Sequence, residues 1–529
     1  MGDAEIVVVG HCTVASAKIF YCIQGGGDRQ IHARVQWRFG QRGGVKDVQL
    51  EWKNPCHLGV FELKDLPPGA QLEYAITTAE GPGMLSPAGS FPSQGIRRLR
   101  LPPTDRPPRV ALVSCNGAFN YAPEDPRRNA LWRALGQEIR QGKVDLVIHC
   151  GDQIYADPIW EWHDSDPRNR GLSPQSNTRI ENLKSEYRRW YFMTWIDPDV
   201  AEVLSSVPNI MTWDDHDIYD GYGSHDDDDQ PTERAFFEAA RAVFLEFQAS
   251  HGTKPLEASS SLTGFVHGEL GILLLDTRTN RMWNASTVLG EAQLTALAHW
   301  LANAPPLKHL YVVSSIPIVH ARVAGSVKLL DLVPGEVPIE DDLRDAWTAP
   351  NNTHECHRLM KRLFVYQDRH PETQVTVLSG DVHVGAVGEL RASLPSMSSH
   401  PGRIYQVTAS GIGSPPPTGI ALWLVKLATS GNWIELGSPD FQGRLIRMSG
   451  VGGVVIDRRN FAVLDPADSA GNGWERNGNL LVTFYSEGTI GQIPIRLTQV
   501  LNGPGRRPIP HGVPTANPRP DGPTSPEGG

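Results

Sequence analysis

Cysteine is scarce in this chain: six residues, at 12, 22, 56, 115, 150 and 356, among 529. That spacing excludes a disulfide framework and fits a reducing compartment. Long apolar runs are lacking too: none approaches the roughly 18 residues a membrane-spanning helix needs, and no basic-then-apolar leader opens the chain. A cytoplasmic location is the expectation, with a periplasmic or secreted one if a signal has been removed. Positive charge is in deficit, with 49 Lys and Arg against 59 Asp and Glu and a formal net charge of -10. The chain as a whole therefore carries no nucleic-acid footprint. Two motifs are also missing. There is no Gly-x-x-x-x-Gly-Lys-Ser/Thr loop to cradle a nucleoside triphosphate and no Gly-x-Ser-x-Gly elbow to present a nucleophilic serine.

What is present describes a globular chain, 40% hydrophobic and 20% charged, too long for one core and divisible into two or three domains. Residues 1–103 show short strands over 6–9, 18–21, 32–37 and 71–76 between Gly- and Pro-rich turns, the pattern of a small all-β sandwich. His11, Cys12 and Cys22 in it read as core or surface residues, so it is assigned no chemistry. The prolines of 104–108 mark a linker. Residues 109–502 alternate strands and helices. Strands are expected over 109–115, 144–150, 209–213, 271–276, 309–314, 374–379 and 403–408. A helix is expected from the Asp125-Pro126 cap through Leu131, Leu135 and Ile139 to Gly142, with others over 233–249 and 291–303. Residues 503–529, rich in Pro and Gly without apolar periodicity, read as a disordered tail.

The chemistry lies at strand ends. After the buried run 144–150 come Gly151, Asp152, Tyr155 and Asp157, at the edge where open α/β sheets place ligands. Cys115, Asp214, Asp215, His216, Asp381 and His383 follow other strands in the same way. Any one such pair is more often a hydrogen-bonded polar residue than a ligand. Several at equivalent strand ends favour a metal site, since carboxylates and imidazoles bind hard or borderline ions and one carboxylate can bridge two of them. The run Asp226-Asp-Asp-Asp229 reads instead as a solvated acidic loop, lacking the spaced ligands and glycine of an EF-hand. His320 is left without a role.

The stretches Ser114-Cys-Asn-Gly, Gly151-Asp-Gln-Ile-Tyr-Ala-Asp, Trp213-Asp-Asp-His-Asp, Asp276-Thr-Arg and Leu378-Ser-Gly-Asp-Val-His together resemble the PhoD-like alkaline phosphatases of the metallophosphoesterase superfamily, across most of 109–410. The preceding sandwich, with Gly221-Tyr-Gly-Ser224 and Gly411-Ile-Gly-Ser-Pro-Pro-Pro417, is similar to a branch often left without an assigned function. The resemblance implies an α/β fold, a layered sandwich of two mixed β-sheets flanked by helices behind the small all-β domain. It also implies a metal-dependent hydrolase acting on a small phosphomonoester or phosphodiester through metal-activated hydroxide.

By matched position, Cys115, Asp152, Tyr155 and His383 would hold Fe(III). Asp152, Asp215 and Asp381 would hold Ca(II), an oxygen set harder than the superfamily's usual one, with Asp152 bridging; Zn, Mn or Co are the other ions considered. His216, oriented by a carboxylate such as Asp217, would stabilise the transition state or protonate the leaving oxygen, and Asp214 would support the ligands. Arg278 and Arg281 would contact phosphate, unless Asp276 and Arg278 form a structural ion pair. Two rivals are a non-catalytic binding protein on the same fold and a mononuclear non-haem iron enzyme, which needs a face of two histidines and one carboxylate. A cysteine, a tyrosine and surplus carboxylates suit a bimetal hydrolase better. Pocket walls are expected in 160–184 and 324–353.

Overall fold

Short antiparallel strands, whose successive side chains point to opposite faces, build the first unit. Glu5–Thr13, Ser16–Gln24, Cys56–Leu63 and Glu51–Lys53 form one antiparallel sheet, and Arg42–Gln49, Ile31–Phe39, Gln71–Glu80 and Arg97–Arg100 form the other. Val7, Val9, Ile19 and Tyr21 of the first meet Val35, Leu72 and Tyr74 of the second. The first sheet is buried on its outer face as well, where Ile6, Val8, Phe20 and Leu58 pack with Tyr191, Trp195 and Phe247 of the larger unit. The sandwich is thus seated on its neighbour, and Arg106 in the connecting segment pairs with Asp145 at 2.6 Å.

The computed structural model describes residues 4–501 apart from 26, 28, 82–90, 119–120, 321–343, 394–402, 417–431, 449, 467–478 and 489–494. The expected tail at 503–529 and much of the expected pocket wall at 324–353 lie outside the described residues.

Runs of Val, Ile and Leu with no polar alternation are buried on both faces, which a strand survives only between two layers. Val110–Val113 and most of Leu146–Cys150 are such runs, and with the equally buried Asn209–Thr212 they pair in parallel within a six-stranded sheet. Leu270–Leu274, His309–Ser314, Gln374–Ser379 and Arg403–Thr408 pair in parallel within the second large sheet. Leu112, Ile148 and Ile210 face Ile272, Tyr311, Val313 and Val407 across the space between the sheets. Helices Ala130–Arg140, Asn177–Trp195 and Pro231–Phe244 cover one outer face, and Gly290–Asn303 and Thr353–Arg369 cover the other. The result is the expected four-layer α/β sandwich. Both sheets aim the C-terminal ends of their parallel strands at one edge.

Two local expectations are corrected. The helix at 130 starts from Asn129, not Asp125, because the Asp125 carboxylate accepts the Arg127 amide at 2.8 Å and closes a turn of its own. The helix over 231–249 ends as α at Phe244 and continues as one π turn, Leu245–Ala249. Strands beyond those expected, among them Gly385–Ala392, Asn460–Pro466 and Leu480–Ser486, extend both sheets in antiparallel fashion.

Candidate metal centre

Four site residues have a backbone that side chains disfavour. Cys115, Asp152, Asp381 and His383 have φ of 57°, 54°, 73° and 50°, among six such non-glycine residues described. Each conformation costs of order 1–3 kcal/mol, and it persists only where surroundings enforce it. Here the enforcement is visible. The amides of Gly413 and Ser414 donate to the Cys115 carbonyl at 3.1 and 3.0 Å, and the Asn116 amide donates to the Asp152 carbonyl at 2.9 Å. Ser410 Oγ accepts the His383 amide at 2.9 Å. Gly151, with φ of 91°, has no room for a side chain, since a Cβ there would lie 2.6 Å from that of Asp214.

These turns bring donors together in groups whose ligand atoms lie within 4.8 Å of one another. One is Cys115, Asp152 and His383, and a second is Asp152, Asp214 and Asp215, so Asp152 belongs to both. A third joins Asp215, His216 and Asp220. Tyr155 completes the first group: its hydroxyl is 3.0 Å from His383 Nε2 and accepts from Ser414 Oγ at 2.8 Å. Three buried carboxylate oxygens, Asp152 Oδ1, Asp214 Oδ2 and Asp215 Oδ1, accept no hydrogen bond, although Arg278 Nη2 lies 3.3 Å from the last. Such oxygens call for a cation.

The local fields differ. Burial and the nearby Cys115 push Asp152 well above the usual carboxylate range, and burial pushes the Cys115 thiol up to about 12. Burial also raises Asp214 to about 7 against the pull of Arg278. For Asp215, burial is outweighed by Arg278 and His216, which bring it down to about 2. Burial lowers His383 to about 4, so it is neutral and able to ligate. For His216 burial is outweighed by the charges of Asp157 and Asp215, and its pKa rises well above the ordinary histidine value.

The structure brings together the side chains of Cys115, Asp152, Tyr155, Asp215, His216 and His383. Among the described residues the Asp381 carboxylate is in none of the groups, and the Asp381 backbone carbonyl accepts Cys115 Sγ at 3.5 Å. Asp217 does not orient His216. Asp217 turns back to accept the amides of Asp152, Gln153 and Asp214 at 3.0, 3.2 and 3.0 Å, while His216 Nδ1 meets Asp157 at 2.9 Å. Nor are Arg278 and Arg281 placed for phosphate: both are buried, and Arg278 makes a bidentate pair with Asp345 at 2.7 and 2.6 Å and a short bond to Asp214. Arg281 donates to the Asp345 carbonyl at 2.8 Å. Asp276 is no partner of the guanidinium; it accepts Trp213 Nε1 at 2.9 Å and the Ser261 amide at 2.7 Å. Asp345 and Ser410 were not singled out by the sequence, Ser414 only as part of a motif, and Asp157 was placed at the strand end without its role as partner of His216. Asp157, at a helix start beside Pro158, carried a local signal.

The sequence pattern of the PhoD-like phosphatase family matches residues 110–419. The uncharacterized protein YGR266W of Saccharomyces cerevisiae is 24% identical over 430 residues, covering 62% of this chain and 60% of that protein. Alkaline phosphatase D of Bacillus subtilis is 28% identical over 153 residues, 26% of this chain and 24% of the enzyme. The chain thus spans less than two thirds of either relative. A solved structure of PhoD superposes with a TM-score of 0.60 at 15% identity, covering 95% of this chain and 91% of the other.

Proposed function

The chain belongs to the PhoD-like phosphatase family, and from that premise we propose that it is a metal-dependent phosphoesterase hydrolysing phosphomonoesters, phosphodiesters or both. The observation that carries this reading is the shared position of Asp152 in two ligand groups, beside buried carboxylate oxygens that accept no hydrogen bond. Left bare, such groups cost several kcal/mol each. A pair of cations fits them. Bound there, the ions would supply Lewis acidity toward the phosphoryl oxygens and lower the pKa of water.

Cys115, Tyr155, His383 and Asp152 would hold Fe(III), a set mixing a soft sulfur with imidazole and anionic oxygen. Asp152 and Asp215, with a third oxygen from Asp381 or Asp214, would hold Ca(II), which takes oxygen ligands alone. Zn, Mn and Co are the alternatives that metal analysis distinguishes. Arg278 offsets the mutual repulsion of Asp214, Asp215 and Asp345, letting three carboxylates share one corner. His216 has Nδ1 on Asp157 and its ring stacked on Tyr155 at 4.2 Å. That leaves Nε2 as the donor to the departing oxygen. The substrate contacts first assigned to Arg278 and Arg281 have no part in this reading.

The test is a panel of p-nitrophenyl phosphate and bis-p-nitrophenyl phosphate with chelated and metal-restored protein. Turnover of at least one, lost on chelation and regained with iron and calcium, is expected. Absence of turnover of both by protein carrying two ions would refute the proposal, and a single iron with 2-oxoglutarate dependence would indicate an oxygenase instead.

A further inference from the structure

We infer that Ser410 and Ser414 are positioning residues, each donating a hydroxyl hydrogen bond to one ligand: Ser410 to the Cys115 sulfur and Ser414 to the Tyr155 oxygen. The assignment rests on the Fe(III) ligand set proposed above. Both serines lie on the segment that follows strand Arg403–Thr408, and both are buried. Ser414 Oγ accepts the Gly117 amide at 3.1 Å and donates to the Tyr155 hydroxyl oxygen at 2.8 Å. Ser410 repeats the arrangement, its Oγ accepting the His383 amide at 2.9 Å and lying 3.1 Å from Cys115 Sγ. A ligating cysteine is a thiolate without a proton to give, so across that contact the serine is the donor. Ser114 Oγ is also near the sulfur, at 3.3 Å, but it donates to the Ala409 carbonyl at 3.2 Å.

The backbone is shaped around these contacts. A Cβ on Gly117 would come 2.4 Å from Ser414 Oγ and 3.0 Å from the Tyr155 ring, so the close approach of the hydroxyl requires glycine there. The Ser410 carbonyl accepts Asn460 Nδ2 at 2.9 Å, and the Ser414 amide donates to the Cys115 carbonyl at 3.0 Å. Each serine is thus held by its main chain while its hydroxyl serves a ligand. Such partners fix a ligand's orientation, and a hydrogen bond to a coordinating anion draws electron density away from the ion. Loss of one hydroxyl therefore makes one ligand a stronger electron donor and leaves the other as it was. That selectivity separates a positioning role from a general loosening of the turn.

The test takes protein stripped of its metals and reloaded with Fe(III) alone, as wild type, Ser410→Ala and Ser414→Ala. Resonance Raman spectra separate the thiolate and phenolate charge-transfer bands, and a melt confirms folding. Ser414→Ala is expected to move the phenolate band to lower energy and leave the thiolate band in place, and Ser410→Ala to do the reverse. Each variant should lose about 10- to 100-fold in iron affinity, the scale of removing a ligand's outer partner. In the Tyr155→Phe background, Ser414→Ala should leave the remaining band unmoved. Equal shifts of both bands in both variants, or no shift in either, overturn the assignment. If a variant fails to fold, wild type decides: exchange of the hydroxyl protons in heavy water shifts the iron–sulfur and phenolate vibrations, and spectra identical to those in ordinary water overturn the assignment. Wild type that takes up no Fe(III), or takes it up without colour, overturns it as well. Turnover of the p-nitrophenyl esters is read separately. A coloured wild type that hydrolyses neither ester ends the phosphoesterase reading, and the band shifts still decide on the serines.

Discussion

Cys115 and Tyr155 are weak acids made weaker by their surroundings, since burial pushes the thiol to about 12 and the phenol well above its usual range. Only a strong neighbouring cation would make both anionic at neutral pH. If Fe(III) is that cation, the purified protein is coloured by ligand-to-metal charge transfer, and Tyr155→Phe shifts or bleaches the band. A colourless protein with stoichiometric iron and normal turnover would contradict thiolate–phenolate ligation. His216→Ala is expected to keep both ions and slow turnover by roughly 100-fold, the scale of losing a general acid. Loss of one ion in that variant would make His216 a ligand instead. The sequence located these side chains because they follow buried strands, but it misjudged their partners. Asp217 is next to His216 in the chain, yet the 3-10 turn Asp215–Asp217 sends its carboxylate back to the backbone of 152–154. Asp345, which takes up Arg278, is 67 residues away from it in the chain, and no local pattern announces such a pair.

Among the elements, the turn at Gly411–Ser414 is the one that locks the site, and residues well beyond it hold it there. Arg459 is buried, pairs with Glu487 at 2.9 and 2.7 Å and donates to the carbonyls of Arg127, Arg128 and Gly413 at 2.6, 3.1 and 3.5 Å. Asn460 Nδ2 donates to the Ser410 carbonyl at 2.9 Å. Gly413 itself lies against the Asn116 backbone, where a Cβ would come within 2.9 Å of a carbonyl carbon. Gly413→Ala is therefore expected to cost about 1–3 kcal/mol, the scale of overpacking, and to lower occupancy of the Cys115 ion. Thermal melts together with metal content check this, and unchanged occupancy would show that the turn does not set the site. The parallel strands were legible as short, mostly apolar runs bounded by turn residues, even where polar residues interrupt them, as in Asn209–Thr212 and Gln374–Ser379. The late antiparallel strands were not, because Asn460–Pro466 and Leu480–Ser486, though largely buried, join the sheet by pairing with each other and with the distant Val110–Val113, which no local pattern announces.

Over the whole molecule, the seam between the sandwich and the larger unit is lined with histidine. The His251 carbonyl accepts the His11 amide at 2.8 Å, and His11 stacks on His267 with centroids 6.0 Å apart. Burial comes first in lowering all three, His11 and His267 to about 4 and His251 to about 3, with Lys18 and the histidines themselves as the facing cations for His11. The unfolded chain takes up protons near pH 6.5 that the folded seam refuses until about pH 4. Stability is thus full above 6.5 and lost as pH falls through that window, by at most about 1.4 kcal/mol per pH unit for each histidine. His267→Phe should flatten the fall by one proton in urea melts between pH 7 and 5, and an identical slope would place His267 outside the seam's titration. The Pro-rich linker was legible as irregular backbone. Its anchoring through Arg106 was not, since the same residues would suit a loose tether.

The two-metal centre depends on Asp152 as the carboxylate common to both ions. Metal analysis of wild type and Asp152→Asn, paired with phosphoesterase assays and a melt to confirm folding, tests it most directly. Wild type is predicted to hold two ions per chain, and folded Asp152→Asn to lose metal and turnover together. Turnover near that of wild type in folded Asp152→Asn would contradict the two-metal centre.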